Sequence, residues 1–274
     1  VDLMQKLQDE GFLDIDGKRL EYRMIGPRPG EAPTLVMLHE GLGSVAMWNN
    51  FPDRLAAATG AGVFVYSRAG YGKSSPAELP RPVSYMDDEA RQTLPKVLAA
   101  IGFRRGLLVG HSDGASIATI YAGCIQDHRV RGLVLMAPHF FVEDVSIASI
   151  ADAKRAYAET DLRGRLARYH DDVDNAFRGW NDAWLDPRFR GWDITEALAY
   201  IRVPVLIIQG EQDQYGTTRQ IEVAQEECYC PVEVALLRNA RHSPFREAAE
   251  ETLGAAVEFA DRILRVHAEA AFAA

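Results

Sequence analysis

Short runs of apolar residues recur along the chain, each closing on a glycine, a proline or a polar cluster. They read TLVMLHE (34–40), GVFVYSR (62–68), GLLVG (106–110), RGLVLMAP (131–138), VPVLIIQG (203–210) and VEVALLRNA (232–240). None alternates strictly between apolar and polar, as expected of strands covered on both faces in the interior of a parallel sheet. Between them lie segments compatible with helix at 47–59, 85–101, 114–127, 217–228 and 245–268; the last has a clear 3.6-residue apolar period. Residues 11–25 alternate around Asp-Gly turns and predict an antiparallel hairpin. The rhythm is α/β, a mostly parallel central sheet with flanking helices. It breaks once, from 139 to 202, where helix-like stretches and three tryptophans replace strands. A crossover between strands needs far fewer residues. We read 1–138 and 203–274 as the core and 139–202 as an inserted helical cap.

In an open α/β sheet, functional groups are expected in loops at the carboxyl ends of strands. At the end of the third long run stands Gly110-His111-Ser112-Asp113-Gly114, followed by a helix-compatible stretch of small residues. A strand, a Gly-x-Ser-x-Gly turn and a helix describe a nucleophile elbow, in which the glycines relieve crowding and the serine stands clear of the sheet. A serine hydroxyl needs a base. His242 follows the last strand and precedes the last helix, so it falls in the same layer. His39 ends a strand too, but within a loop better suited to oxyanion binding. His111 adjoins the serine across the bend, and His128, His139, His170 and His267 have structural or surface roles by default. Asp213, just past the strand VPVLIIQ, supplies the acceptor that orients the base; Glu211 is its nearest rival, then Glu143 or Asp144. The order Ser112, Asp213, His242 is that of a Ser-Asp-His hydrolytic set. The N–H of Asp113 and one from HEGLGS (39–44), Gly41 first and Leu42 second, are the expected oxyanion donors.

Composition narrows the partners. The net charge of −9 argues against a polyanionic partner such as nucleic acid. The three cysteines form neither a disulfide framework nor a metal-ligand pattern, and the glycine loops lack the spacing of nucleotide-binding motifs. No metal and no cofactor is expected. No apolar leader or membrane-length run is present, which predicts a soluble cytoplasmic protein. Oligomeric state leaves no mark in the sequence.

The segments HEGLGS, VYSRAGYGKS, GHSDG, GEQD and RHSPF together resemble those of α/β-hydrolase fold proteins, and the resemblance spans nearly the whole chain. It resembles the capped branch that holds small esterases and enzymes cleaving aromatic ring-cleavage products. Membership implies cleavage of an ester, thioester, amide, lactone or carbon–carbon bond, normally without a cofactor. Two residues depart from the pattern. Glu40 stands where a glycine is usual, and its charge would oppose an oxyanion unless paired or turned away; Arg68 is one possible partner, or a brace for the backbone. Asp113 stands in the elbow where a small or uncharged residue would be unremarkable. Trp180, Trp184, Trp192, Phe140 and Phe141, with Glu40, are candidate substrate contacts, although the tryptophan spacing equally fits packing of a helix on the sheet. A serine hydrolase of small apolar or aromatic carboxylic esters is the first expectation. A thioesterase acting on acyl-CoA follows, then a carbon–carbon hydrolase, and a noncatalytic small-molecule receptor on the same fold is the contrasting class.

Overall fold

The computed structural model describes residues 7–272, with side chains through Arg265. The His267 side chain, and the first six residues of the leader-free N-terminal reading, lie outside the described residues. Eight strands form one sheet: β1 (Glu10–Ile15), β2 (Lys18–Ile25), β3 (Thr34–Leu38), β4 (Gly62–Tyr66), β5 (Gly106–His111), β6 (Val130–Met136), β7 (Val205–Gly210) and β8 (Val232–Leu237). Their order is β1-β2-β4-β3-β5-β6-β7-β8, with β1 and β2 antiparallel to their neighbours and every other pairing parallel. The hairpin turns on Asp16 and Gly17, both at positive φ (52° and 75°), the geometry that Asp-Gly supplies most readily.

The continuous apolar runs serve two cores. Side chains alternate across a strand, so Leu35, Met37, Val63, Val65, Leu107 and Val109 pack on one face against the helices Phe51–Thr59 and Ala249–Phe272. Val36, Leu38, Phe64, Tyr66 and Leu108 fill the other face, beneath the helices Leu94–Ala100 and Asp113–Cys124. The predicted helix at 85–101 is interrupted by a π turn at Glu89–Thr93, just ahead of Pro95. Proline has no N–H to donate, so the regular ladder cannot run through it.

Between β6 and β7 the chain forms the helices Asp144–Glu159, Leu162–Leu166, Val173–Trp184 and Thr195–Tyr200, with a 3-10 turn at Pro187–Gly191. The Asp172 side chain accepts from Asn175 N (2.9 Å) and caps the third of these. That helix buries Phe177, Trp180 and Trp184, spaced three and four residues apart along one face. Thr195–Tyr200 packs directly on Asp113–Cys124: a Cβ on Gly123 would lie 2.3 Å from the Ala197 carbonyl oxygen.

Candidate active site

The elbow is built by close backbone approach. A Cβ on Gly110 would meet Gly114 O at 2.4 Å, and one on Gly114 would meet Leu38 O at 2.0 Å, so only glycine fits either position. Between them Ser112 is held at φ 51°, ψ −117°, a strained conformation for a residue with a side chain. Its N–H donates to Met136 O (2.9 Å) on β6, which helps offset the strain. The serine thereby stands at the N-terminus of a twelve-residue helix.

Three side chains from separate loops meet here. Ser112 Oγ lies 2.9 Å from His242 Nε2, and His242 Nδ1 lies 2.9 Å from both carboxylate oxygens of Asp213. Asp213 also accepts from Tyr215 N (2.8 Å). Burial alone would raise its pKa, but the His242 charge and hydrogen bond, with the Tyr215 N–H, hold it below the ordinary carboxylate value. The rival acids are engaged elsewhere. Glu143 accepts from Thr217 and Gln220, Asp144 pairs with Arg190, and Glu211 is exposed. The array can pass a proton from a serine hydroxyl to an imidazole while a carboxylate fixes the ring.

Gly41, Leu42 and Asp113 line the same cavity as Ser112. Among the described residues, the N–H groups of these three make no hydrogen bond within the chain. The HEGLGS loop is tied down from several sides. His170 donates from Nε2 to Leu42 O (3.0 Å) and accepts Gly72 N at Nδ1 (2.9 Å), stitching the loop to the 68–75 turn. Burial lowers the pKa of His170, in keeping with a neutral ring that both donates and accepts. His39 likewise donates to Glu40 O (2.7 Å) and accepts Arg68 N (3.0 Å). Gly41 is glycine because Trp180 presses on it, with Trp180 Cδ1 only 2.1 Å from where a Cβ would be.

Glu40 is paired, and not with Arg68. The Arg68 guanidinium is buried and donates to the carbonyls of His39 and Glu40, bracing backbone. The Glu40 carboxylate faces His111 Nδ1 (3.3 Å) and Arg246 (3.8 Å). Burial works to raise its pKa, but His111 and Arg246 outweigh that and hold it well below the ordinary range. His111 Nε2 meets His242 O at 2.6 Å. One imidazole thus touches both the Glu40 carboxylate and the backbone of His242. The elbow's second unusual residue is equally engaged. The Asp113 carboxyl is buried, accepting from Tyr85 OH and from Trp184 Nε1 (3.3 Å), and burial pushes its pKa up.

The cavity above Ser112 has a volume of about 120 Å³ and is walled by Ile150, Trp180, Trp184, Tyr215 and His139. Of the expected substrate contacts, Trp180, Trp184 and Glu40 line it. Phe140, Phe141 and Trp192 do not. Phe140 is fully buried in the main core, Phe141 bridges to Asp193, and Trp192 stacks on Phe189 with ring centroids 5.4 Å apart. Phe141 and Trp192 are half-buried and pack against the same core. Ile150, Tyr215 and His139 were not legible as lining residues, because no motif marks them; only His139, directly after the apolar run ending at Pro138, held a strand-end position.

The alpha/beta hydrolase family model matches residues 35–255. The chain therefore belongs to the alpha/beta hydrolase family, as its sheet order and elbow already indicated. It is 29% identical to a proline iminopeptidase of Lactiplantibacillus plantarum (strain ATCC BAA-793 / NCIMB 8826 / WCFS1), over 73% of this chain and 83% of that protein. A match to the proline iminopeptidase of Lactobacillus helveticus, 30% identical, spans 46% of this chain and 42% of that one. Among solved structures, an enol-lactonase from Burkholderia xenovorans LB400 superposes with a TM-score of 0.72 at 21% identity, over 91% of this chain and 99% of that chain. That likeness is one of fold.

Proposed function

We propose that the protein is a serine hydrolase that cleaves small carboxylic esters through an acyl-enzyme intermediate. The observation that carries this reading is the unbroken Ser112–His242–Asp213 array, with 2.9 Å contacts throughout, opening onto a small cavity with apolar walls. Ser112 attacks the carbonyl while His242 takes its proton and later returns one to the leaving oxygen. Asp213 holds the ring and stabilises its charged form. The N–H groups of Asp113 and of Gly41 or Leu42 receive the oxyanion. Residues 139–202 act as the cap, supplying Trp180 and Trp184 as apolar wall.

An amide reading follows from the relatives named proline iminopeptidase. A substrate bearing a free ammonium needs an unpaired carboxylate, and the lining offers none. Glu40 pairs with His111 and Arg246, and both Asp113 carboxyl oxygens already accept from Tyr85 and Trp184. Esters therefore stand first and acyl-CoA thioesters second.

The test is turnover of a graded panel of p-nitrophenyl esters and acyl-CoA thioesters by wild type and Ser112→Ala, with fluorophosphonate labelling of Ser112. Turnover of short esters, lost by about three orders of magnitude or more in the alanine variant, is expected. A folded wild type that neither turns over nor labels would sink the reading in favour of a receptor.

A further inference from the structure

His139 follows β6 directly, and its backbone is pinned on both sides. Ser116 Oγ donates to His139 O (2.6 Å), and Phe140 N donates to Gln220 Oε1 (2.7 Å). The ring is 2% exposed and lies edge-on to Trp184, with centroids 5.2 Å apart. It sits 5.6 Å from the His242 ring and forms part of the cavity wall above Ser112. Nδ1 is sealed from solvent and has no partner among the described residues. Nε2 also makes no hydrogen bond among the described residues but is not sealed, and it is the ring nitrogen open to the cavity that His139 lines.

Burial, reinforced by the His242 charge, lowers the pKa of His139 to about 3, so near neutrality the ring is uncharged and holds one proton. On Nδ1 that proton would be a stranded buried donor, the rarest of unsatisfied groups. On Nε2 it faces the space where substrate binds. An imidazole with two idle nitrogens is a poor choice for a merely apolar wall, because its burial costs desolvation that leucine or phenylalanine would not.

We infer that His139 is a substrate-positioning residue whose Nε2–H donates to a neutral oxygen (ether, ketone or hydroxyl) on the acyl portion, close to the scissile carbonyl. This rests on the serine-hydrolase reading and narrows its substrate class to short, oxygen-bearing acyl groups. A carboxylate is disfavoured because the ring is uncharged and, among the described residues, no lysine or arginine lines the cavity.

The test uses an isosteric pair, p-nitrophenyl methoxyacetate and p-nitrophenyl butyrate, which differ by one oxygen for one methylene. Comparing their kcat/KM ratio between enzymes cancels the intrinsic reactivity of the esters. His139→Leu is expected to lower the methoxyacetate-to-butyrate ratio about tenfold, one well-placed hydrogen bond. His139→Gln, which keeps a donor, should recover part of it. An unchanged ratio in His139→Leu overturns the inference while leaving the serine-hydrolase reading intact. A wild type inactive on both esters would count against that reading alone. In that case, or if His139→Leu fails to fold, 15N-histidine NMR of the wild type decides. The expected result is a neutral Nε2–H ring at position 139 whose Nε2 signal moves with methoxyacetamide but not with butyramide. An Nδ1–H ring, or no response to methoxyacetamide, overturns it.

Discussion

At residue 40 the chain places a carboxylate beside the N–H groups that would stabilise negative charge, and it neutralises that carboxylate from two directions. His111 is the nearer partner and also grips the carbonyl of His242, so a single imidazole couples the loop after β3 to His242. Glu40→Gln removes the charge that holds the His111 ring against the loop. The ring's grip on the His242 carbonyl is then less firmly oriented. The expected outcome is a fall of about tenfold in kcat on short esters with KM little changed. In a double-mutant cycle with His111→Asn, the combined loss should be smaller than the product of the single losses, because both act through one contact. Multiplicative losses would show that the pair does not work as a unit. Arg246→Ala should matter less, since its ion pair is longer and partly solvated.

At the scale of elements, two glycines with similar crowding should behave differently. Gly114 faces backbone: the Leu38 and His39 carbonyls of β3 and its loop leave no space for a methyl group. Gly114→Ala must push the elbow helix off the sheet, and a loss of about 3 kcal/mol or more in unfolding free energy is expected by chemical denaturation. Gly41 faces the Trp180 side chain, which can move. Gly41→Ala should fold near-normally but lose ester turnover about a hundredfold, through a displaced loop and tryptophan. The second substitution Trp180→Leu should recover a measurable part of it. Failure of that rescue would locate the damage in the loop backbone instead. The same contrast explains what was legible. A Gly-x-Ser-x-Gly turn is a local steric solution and shows itself in five residues. The reason for Gly41 lies on a helix 139 positions away, beyond the reach of any short motif.

For the whole molecule, burial of neutral histidines sets the acid response. His39, His139 and His170 all have pKa values lowered by burial, His139 to about 3. Each takes up its proton near its ordinary value only in the unfolded chain. The unfolded state therefore binds more protons below about pH 6.5, and stability falls as pH falls through that window. His139 alone should cost about 2 kcal/mol between pH 7 and pH 5, with His39 and His170 adding in the same direction. The depressed carboxylates Glu40 and Asp213 act at lower pH, where they would otherwise begin to take up protons. Thermal unfolding at pH 7 and pH 5 should show a clear drop in Tm, shallower in His139→Gln. A flat profile would mean that these rings gain compensating contacts on protonation. Among the described residues no helix is long and apolar enough to cross a membrane.

Apolar periodicity and turn chemistry are properties of near neighbours in the chain, and Ser112, Asp213 and His242 each closely follow an apolar run. They were sufficient to indicate the sheet, its helices and the three residues that meet in the structure. The cavity wall is decided by packing between distant segments. Phe140 turns into the core and Trp192 packs half-buried on Phe189, whereas His139, Ile150 and Tyr215 are left lining the cavity with Ser112. Glu40 finds its partners 71 and 206 positions away, on either side of Ser112 in the chain. Charge balance and cavity shape depend on which side chains are brought within a few ångströms of each other. Only the closed tertiary structure sets those distances.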